Sequence, residues 1–213
     1  LQVMRKPAAR EEVRQPRRQI RVGRGVRIVI FLRLLQRLGT DERGQVRKIL
    51  CVGIDMGTSR SSISASNGER HVIDSYVGWP VDMVARKLVK KSVLVGREAL
   101  DNRSMLDLRR PLERGIMKEG SEKDQEAVQE ILRHLINVAG IKQKGKSKSR
   151  VRAVVGVPAE AFRVSRQNLR NTMEGIADSV MLVSEPFAVA YGLEALLHAL
   201  VIDIGAGTAD FCV

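Results

Sequence analysis

The sequence has few of the residues that mark several common classes of protein. Its two cysteines, among 213 residues, form neither a CxxC pair nor a cluster with histidine, so neither a zinc site nor a disulfide framework is expected. No run of 18 apolar residues occurs, and no secretory signal is evident. Aromatic residues make up only 3%, although 44% hydrophobic residues suffice for a core. The lack of a disulfide framework favours a protein of the reducing cytoplasm.

Two signatures of nucleotide-binding proteins are also missing. The chain has no glycine-rich run that ends in Gly-Lys-Ser or Gly-Lys-Thr, and it has no dinucleotide-binding fingerprint. A P-loop and a Rossmann dinucleotide site are therefore not predicted.

Positive charge is distributed unevenly along the chain. The net charge is +13, but residues 1–50 hold 14 Lys and Arg against 4 Asp and Glu, whereas the other residues hold 23 against 20. The basic isoelectric point is therefore mostly a property of the N-terminal arm, residues 1–48. No nucleic-acid partner is predicted for the folded part.

The N-terminal arm begins with a segment that is predicted to be disordered, and the rest of it is open to three interpretations. Residues 1–19 are rich in Arg and contain two prolines, which is typical of disorder. Residues 20–38 are apolar and basic, and they fit either an amphipathic helix on an anionic membrane or an element packed on the body. Because 12 of the 14 basic residues up to position 50 are Arg and the chain starts with Leu1, the arm also fits upstream sequence translated from a misplaced start.

The most informative stretch is VIDIGAGTAD, residues 201–210. It predicts a buried strand of Val201, Ile202 and Ile204 that runs into a glycine turn. Asp203 lies among these apolar neighbours, where an unpaired carboxylate would be costly.

The turn itself has the chemistry of a phosphate site. Gly205 and Gly207 let backbone N–H groups approach a ligand, and Thr208 adds a hydroxyl. Carboxylates such as Asp210 suit a hard divalent cation. Taken alone, this stretch fits a tight hairpin in an ordinary sheet equally well.

The same pattern occurs earlier, in VGIDMGTS at residues 52–59. Apolar residues bracket Asp55, and Gly57, Thr58 and Ser59 follow. Two such units in one chain favour two phosphate-binding turns that face each other.

The remaining pattern predicts an α/β fold. Residues 50–55, 61–66 and 71–77 are predicted strands, with a type I′ hairpin at Asn67-Gly68. Residues 151–157 and 180–183 are predicted buried strands, and residues 164–177 and 186–199 are predicted helices.

A further helix and two connecting segments complete the prediction. The helix starts at a cap formed by Ser121 and Asp124, and its apolar residues recur at helical spacing, with His134 off the stripe and facing solvent. Residues 79–120 have mixed patterning, which fits a small inserted lobe. The basic residues 142–150 are predicted to be a solvated loop, with polyanion binding as the alternative.

This order of elements resembles one half of the actin-like ATPases, a superfamily with a ribonuclease H-like fold that includes heat-shock chaperones and sugar kinases. The resemblance implies a mixed sheet of five strands flanked by helices. The two turns are similar to its two phosphate motifs. Arg110-Pro111-Leu112 with Gly115-Ile116 resembles a segment of bacterial actins that the chaperones lack. Gly78-Trp79-Pro80 and Val183-Ser184-Glu185-Pro186-Phe187 are similar to the magnetosome actins among them. The resemblance covers residues 50–213.

The resemblance implies a role for each residue of the site. Asp55 and Asp203 would position Mg²⁺ from two sides of a cleft, with Asp203 also counted among the catalytic residues, and Glu185 would orient and polarise the attacking water. The phosphates of ATP would be bound by the two turns, which comprise Gly57, Thr58, Ser59, Gly205, Ala206, Gly207 and Thr208. The alternative for Glu185 is a helix-terminal residue favoured by the helix dipole.

The resemblance also implies a partner and a division into domains. The protein would assemble with copies of itself into cytoplasmic filaments that position magnetosomes, with magnetosome-associated proteins as further partners and membrane contact only indirect or through the arm. Residues 49–199 would form the first actin-like domain, and residues 200–213 would begin a second.

The sequence departs from the family pattern in two ways, of which the first is that the second half, which mirrors the first in this family, amounts to one strand, a turn and part of another strand. Second, the family's adenosine motif, a glycine triplet near the end, has no counterpart in these residues. We therefore expect an N-terminal piece of a longer protein, one that binds ATP poorly by itself. Two alternatives stay open, a chaperone-type ATPase of the same superfamily and a non-catalytic truncated product.

Overall fold

The computed structural model describes residues 49–117, 121–140, 150–159, 161, 163–194, 200–207 and 209–212. The predictions for the N-terminal arm, for most of the basic loop, for Thr208 and for the end of the last helix at 195–199 lie outside the described residues.

Five strands form the main sheet. They are β1 (Ile49–Met56), β2 (Arg60–Ala65), β3 (Arg70–Asp74), β9 (Arg150–Val157) and β10 (Ser179–Ser184). Their order is β10-β9-β1-β2-β3, with β9 parallel to both β1 and β10 and with β2 antiparallel to both β1 and β3. The predicted mixed sheet of five strands is confirmed.

Three helices flank this sheet. They are α3 (Glu122–Val138), α4 (Arg163–Thr172) and α5 (Glu185–Gly192). Helices α3 and α4 share the larger core cluster with one face of β1 and β9, whereas α5 places Ala188 against Cys51 and Val154 on the other face. The sheet therefore has a helical layer on each side, which explains why β9 is buried on both faces.

Helix α3 forms as its sequence predicts. Ser121 is the N-cap, and its hydroxyl accepts a hydrogen bond from the N–H of Asp124 at 3.2 Å. Six apolar side chains at helical spacing are fully buried against the sheet. They are Ala127, Val128, Ile131, Leu132, Leu135 and Ile136.

A group of short elements interrupts the chain between β3 and α3. They are β4 (Val77–Pro80), α1 (Met83–Val89), β5 (Leu94–Val95), α2 (Arg97–Asp101), β6 (Leu106–Arg109), β7 (Leu112–Glu113) and β8 (Ile116–Met117). One sheet has the order β5-β4-β6, and β7 pairs with β8 in another. Leu94, Ala99 and Leu106 give this region a small core of its own.

The turn between β2 and β3 differs from the predicted type. A type I′ turn needs positive φ at both central residues, but only Gly68 has it, at +95°, and Asn67 does not. The N–H of Gly68 donates to the carbonyl of Ala65 at 3.0 Å, and the N–H of Ala65 donates to the carbonyl of Glu69 at 2.9 Å. The hairpin is therefore confirmed, but its loop is longer than two residues.

Two strands are less buried than their apolar sequences predict. Strand β10 is an edge strand, and its Met181 is 41% exposed. Strand β11 (Val201–Ile204) pairs only with β12 (Ala209–Cys212) among the described residues, and its Ile202 and Ile204 are 53% and 72% exposed. The prediction that these isoleucines are buried is wrong, since the hairpin turns Asp203 inward instead.

His134 was expected to face solvent, but it is half-buried. It lines a cavity of about 450 Å³ together with Arg60, Asp74 and Arg97. Burial lowers the pKa of its imidazole; the charges of Glu98 and Glu130 oppose this effect, and those of Lys91 and His71 reinforce it.

This lowered pKa predicts that the folded chain loses stability as the pH falls. Below 6.5, the ordinary pKa of histidine, the unfolded chain binds a proton that the folded chain still rejects, so the free energy of unfolding decreases until the folded-state pKa is passed. Urea unfolding between about pH 5 and pH 8 measures this slope. The His134→Gln variant should show a smaller slope, and an equal slope in both proteins would contradict the assignment.

No helix among the described residues is long and apolar enough to cross a membrane.

Candidate functional site

The three parallel strands β1, β9 and β10 have their carboxyl ends side by side. We call this end of the main sheet the strand edge. Asp55 near the end of β1 is paired with Gly156 of β9, which in turn is paired with Val183 of β10. Glu185 follows β10 directly and is the first residue of α5. The structure therefore places both Asp55 and Glu185 at the strand edge, and α/β proteins commonly bind ligands at the carboxyl ends of their strands.

The first turn, residues 57–59, is tightly closed and braced. The N–H of Gly57 donates to the carbonyl of Arg60 at 3.1 Å, and a Cβ on Gly57 would lie 2.6 Å from that oxygen. Ser75 holds the turn from outside: its hydroxyl donates to the carbonyl of Gly57 at 2.7 Å, and its N–H donates to the carbonyl of Ser59 at 3.0 Å. Glycine is thus required at position 57, and the turn has a fixed shape.

The second turn, residues 205–207, connects β11 to β12. Gly205, Ala206 and Gly207 are exposed. The strands on either side contribute Asp203 and Asp210, which are directly paired across the hairpin and are 4% and 7% exposed. Exposed backbone thus lies next to two buried carboxylates.

The two turns approach each other closely. A Cβ on Gly207 would lie 2.6 Å from Oγ1 of Thr58 and 3.2 Å from Cα of Arg114. No real side chain tolerates the shorter of these distances, so only glycine at position 207 allows the approach. The sequence predicted two turns that face each other, and the described residues bring Gly207 against Thr58.

The pair of buried aspartates fits a divalent cation. Oδ1 of Asp210 accepts a hydrogen bond from the N–H of Ala159 at 3.1 Å, whereas Oδ2 is buried without a hydrogen-bond partner among the described residues. Neighbouring carboxylates repel, and a buried carboxylate oxygen without a hydrogen-bond partner, such as Oδ2 of Asp210, is costly, so a hard cation would stabilise the pair. No group of three His, Cys, Asp or Glu that could hold a metal occurs in the described part. Magnesium would therefore complete its shell with phosphate oxygens and water.

Glu185 is buried at the start of α5. Its side chain is 7% exposed, and the helix packs against both strands of the β11–β12 hairpin. Ser184 is the N-cap but makes no side-chain capping bond, and Pro186 follows in the first turn, as predicted. Asp55 is half-buried. A buried acidic residue thus lies at the start of the helix that packs against the hairpin carrying the second turn.

The turn between β7 and β8 was not predicted as part of the site. The N–H of Gly115 donates to Oγ1 of Thr58 at 2.9 Å. A Cβ on Gly115 would lie 2.8 Å from Cγ of Pro158, and φ of Gly115 is +70°. The only available signal was the Arg-Pro-Leu segment with Gly115, whose resemblance to bacterial actins gave no residue a role here.

Comparison with known proteins identifies the family. The model of the MreB/Mbl protein family matches residues 50–213. The actin-like protein MamK of Paramagnetospirillum magneticum is 37% identical over 173 residues, which cover 81% of this chain and 49% of that protein. The MamK of Magnetospirillum gryphiswaldense is 36% identical over 187 residues, which cover 86% of this chain and 51% of that protein.

Solved structures agree with this result. The double helical filament of MamK matches with a TM-score of 0.71 and 37% identity, over 78% of this chain and 50% of that chain. A non-polymerising MamK mutant bound to AMPPNP matches with a TM-score of 0.69 and 36% identity, over 78% of this chain and 50% of that chain. MreB 5 of Spiroplasma citri bound to AMPPNP shares the fold, with a TM-score of 0.58 at 20% identity over 78% of this chain and 48% of that chain.

The chain thus spans about half the length of the relatives that it matches. Its fold, the family model and these relatives all agree: the chain belongs to the MreB/Mbl family of actin-like proteins.

Proposed function

We propose that this chain is part of a cytoskeletal ATPase that uses ATP and magnesium to assemble with copies of itself into filaments. One observation carries the proposal: Gly207 packs against Thr58, so the two glycine turns meet beside the strand edge that holds Asp55 and Glu185. The MamK relatives support self-association, since one of their structures is a filament.

The two turns would bind the phosphates of ATP. Apart from the N–H of Gly57, which donates to Arg60, their backbone N–H groups and the hydroxyls of Thr58, Ser59 and Thr208 are donors of the type that phosphate oxygens accept. The exposed backbone at Gly205, Ala206 and Gly207 is accessible to such a ligand. A relative bound to AMPPNP supports nucleotide binding by this fold.

The carboxylates of the site would have two roles, binding of magnesium and orientation of the attacking water. Asp55 and Asp203 would position magnesium, directly or through water, with Asp210 beside Asp203 in the hairpin, and the ion would offset charge on the phosphates. Glu185 would orient the attacking water and accept its proton as the bond to phosphorus forms. Its burial beside the hairpin restricts the conformations of this side chain.

The wider role follows the same relatives. We propose that residues 49–199 form the first actin-like domain, with residues 79–120 as an inserted lobe, and that residues 200–213 begin the second. The filaments would lie in the cytoplasm and position magnetosomes, with magnetosome-associated proteins as partners. Similarity to MamK of two species supports this role.

Titration of a fluorescent ATP analogue tests the nucleotide site in this chain. We expect saturable binding that is weaker than micromolar, because no glycine triplet for the adenosine is present, and we expect EDTA to weaken it further. Binding that EDTA leaves unchanged, or no saturation at millimolar nucleotide, would contradict the proposal. Sedimentation of the complete protein with ATP, ADP or neither then tests nucleotide-dependent assembly.

A further inference from the structure

The turn at Arg114 touches both candidate phosphate turns. Its neighbour Gly115 donates from its N–H to Oγ1 of Thr58 at 2.9 Å, and Cα of Arg114 lies 3.2 Å from the position that a Cβ on Gly207 would take. The side chain of Arg114 thus begins where the two turns meet, and it is exposed.

The backbone of Arg114 is strained. Its φ is +51°, in the left-handed region that a residue with a long side chain rarely adopts. Glycine or asparagine would fit this conformation better. Lys90 and Glu194 also have positive φ, but of these three residues only Arg114 lies against both turns, and residues in this region of φ are enriched at ligand sites.

The site has an excess of negative charge and, among the described residues, one arginine without an anionic partner. The strand edge and the hairpin carry four carboxylates, those of Asp55, Glu185, Asp203 and Asp210, while a polyphosphate is itself strongly negative. The arginine that follows the first turn, Arg60, forms an ion pair with Asp74 at 3.4 Å. Arg114 has neither an ion pair nor a side-chain hydrogen bond within the described part of the chain, so its guanidinium is available to an anion.

We propose that Arg114 binds the terminal phosphate of the nucleotide and favours ATP over ADP. This inference rests on the proposed nucleotide function and adds to it a residue that distinguishes the two nucleotides. A guanidinium can donate two parallel hydrogen bonds to phosphate oxygens, which is stronger and more directional than a single contact. The turn at Arg114 connects the short elements between β3 and α3 to both phosphate turns. The position of these elements would therefore depend on whether ATP or ADP is bound.

The test compares Arg114→Asn, Arg114→Gly and Arg114→Lys with the unchanged chain. Asparagine and glycine remove the charge and relieve the left-handed strain, so both variants should fold at least as stably. We expect their affinity for magnesium ATP to fall about tenfold, with a smaller loss for magnesium ADP. Lysine should restore part of the ATP affinity, because it keeps the charge but donates to phosphate less directionally.

The outcomes separate this inference from the proposed function. If the unchanged chain binds ATP and both uncharged variants keep its ratio of ATP to ADP affinity, then Arg114 has only a structural role. If the unchanged chain binds neither nucleotide in the presence of magnesium, the proposed function fails and this inference fails with it. A loss of ATP affinity in Arg114→Asn that lysine partly rescues supports the contact.

Discussion

Replacing Gly207 with alanine is expected to weaken binding of magnesium ATP at least tenfold and to prevent nucleotide-dependent assembly. The added Cβ would lie 2.6 Å from Oγ1 of Thr58, 3.2 Å from Cα of Arg114 and 3.3 Å from Cβ of Thr58. These atoms belong to backbone or to a short side chain, so the second turn has to move away from the first. Isothermal calorimetry with magnesium ATP measures the loss in affinity.

The control for Gly207 is a glycine far from the strand edge. Gly175 lies before β10, at the opposite end of that strand from Glu185, and an added Cβ would meet no atom within 4 Å. Its φ of +74° makes Gly175→Ala destabilising through backbone strain alone, by about 1 kcal/mol. If both variants lose nucleotide affinity equally, the effect of Gly207→Ala comes from stability and not from the approach of the turns.

The sequence predicted the parts of this molecule whose signals are local. The apolar residues of α3 recur at helical spacing, and Ser121 occupies the N-cap position before them, so both the helix and its cap could be identified. The two aspartates, Asp55 and Asp203, stand out because a charged residue inside a short apolar run needs compensation. Each of these inferences uses residues within a few positions of one another.

Contacts between distant segments could not be predicted in the same way. Alternation places Ile202 and Ile204 on one face of β11 and Asp203 on the other, but it does not say which face meets the rest of the chain. The same limit applies to β10, where an apolar run fits a central or an edge strand. The bond from Gly115 to Thr58 joins residues 57 positions apart, so only the structure brings the Arg114 turn into the site.

Helix α1 was not predicted from the sequence, because most of its apolar residues face solvent. Asp82 caps it by accepting a hydrogen bond from the N–H of Ala85 at 2.7 Å. Of its apolar residues, however, Met83, Val84 and Leu88 are more than 60% exposed. Since its buried side is so small, the hydrophobic pattern that identifies a helix is nearly absent.

Replacing Glu185 with glutamine is expected to slow ATP hydrolysis by about 100-fold or more while changing nucleotide affinity only a few-fold. Glutamine keeps the size of the side chain but cannot accept a proton from the attacking water. Single-turnover release of phosphate from the complete protein measures the chemical step. Filaments of the variant should persist longer after ATP is added, because their nucleotide stays intact.

Glu122 provides a matched control for the helix-dipole alternative. Both glutamates are the first residue of a helix and follow a serine N-cap, but Glu122 lies at the start of α3 and is exposed. The dipole favours an acid at either position by about 0.3–1 kcal/mol, so each Gln variant should lose a similar, small amount of stability. Hydrolysis should fall only in Glu185→Gln. If the two variants hydrolyse ATP at the same rate, Glu185 is a helix-terminal residue, and the attacking water must be oriented by another group.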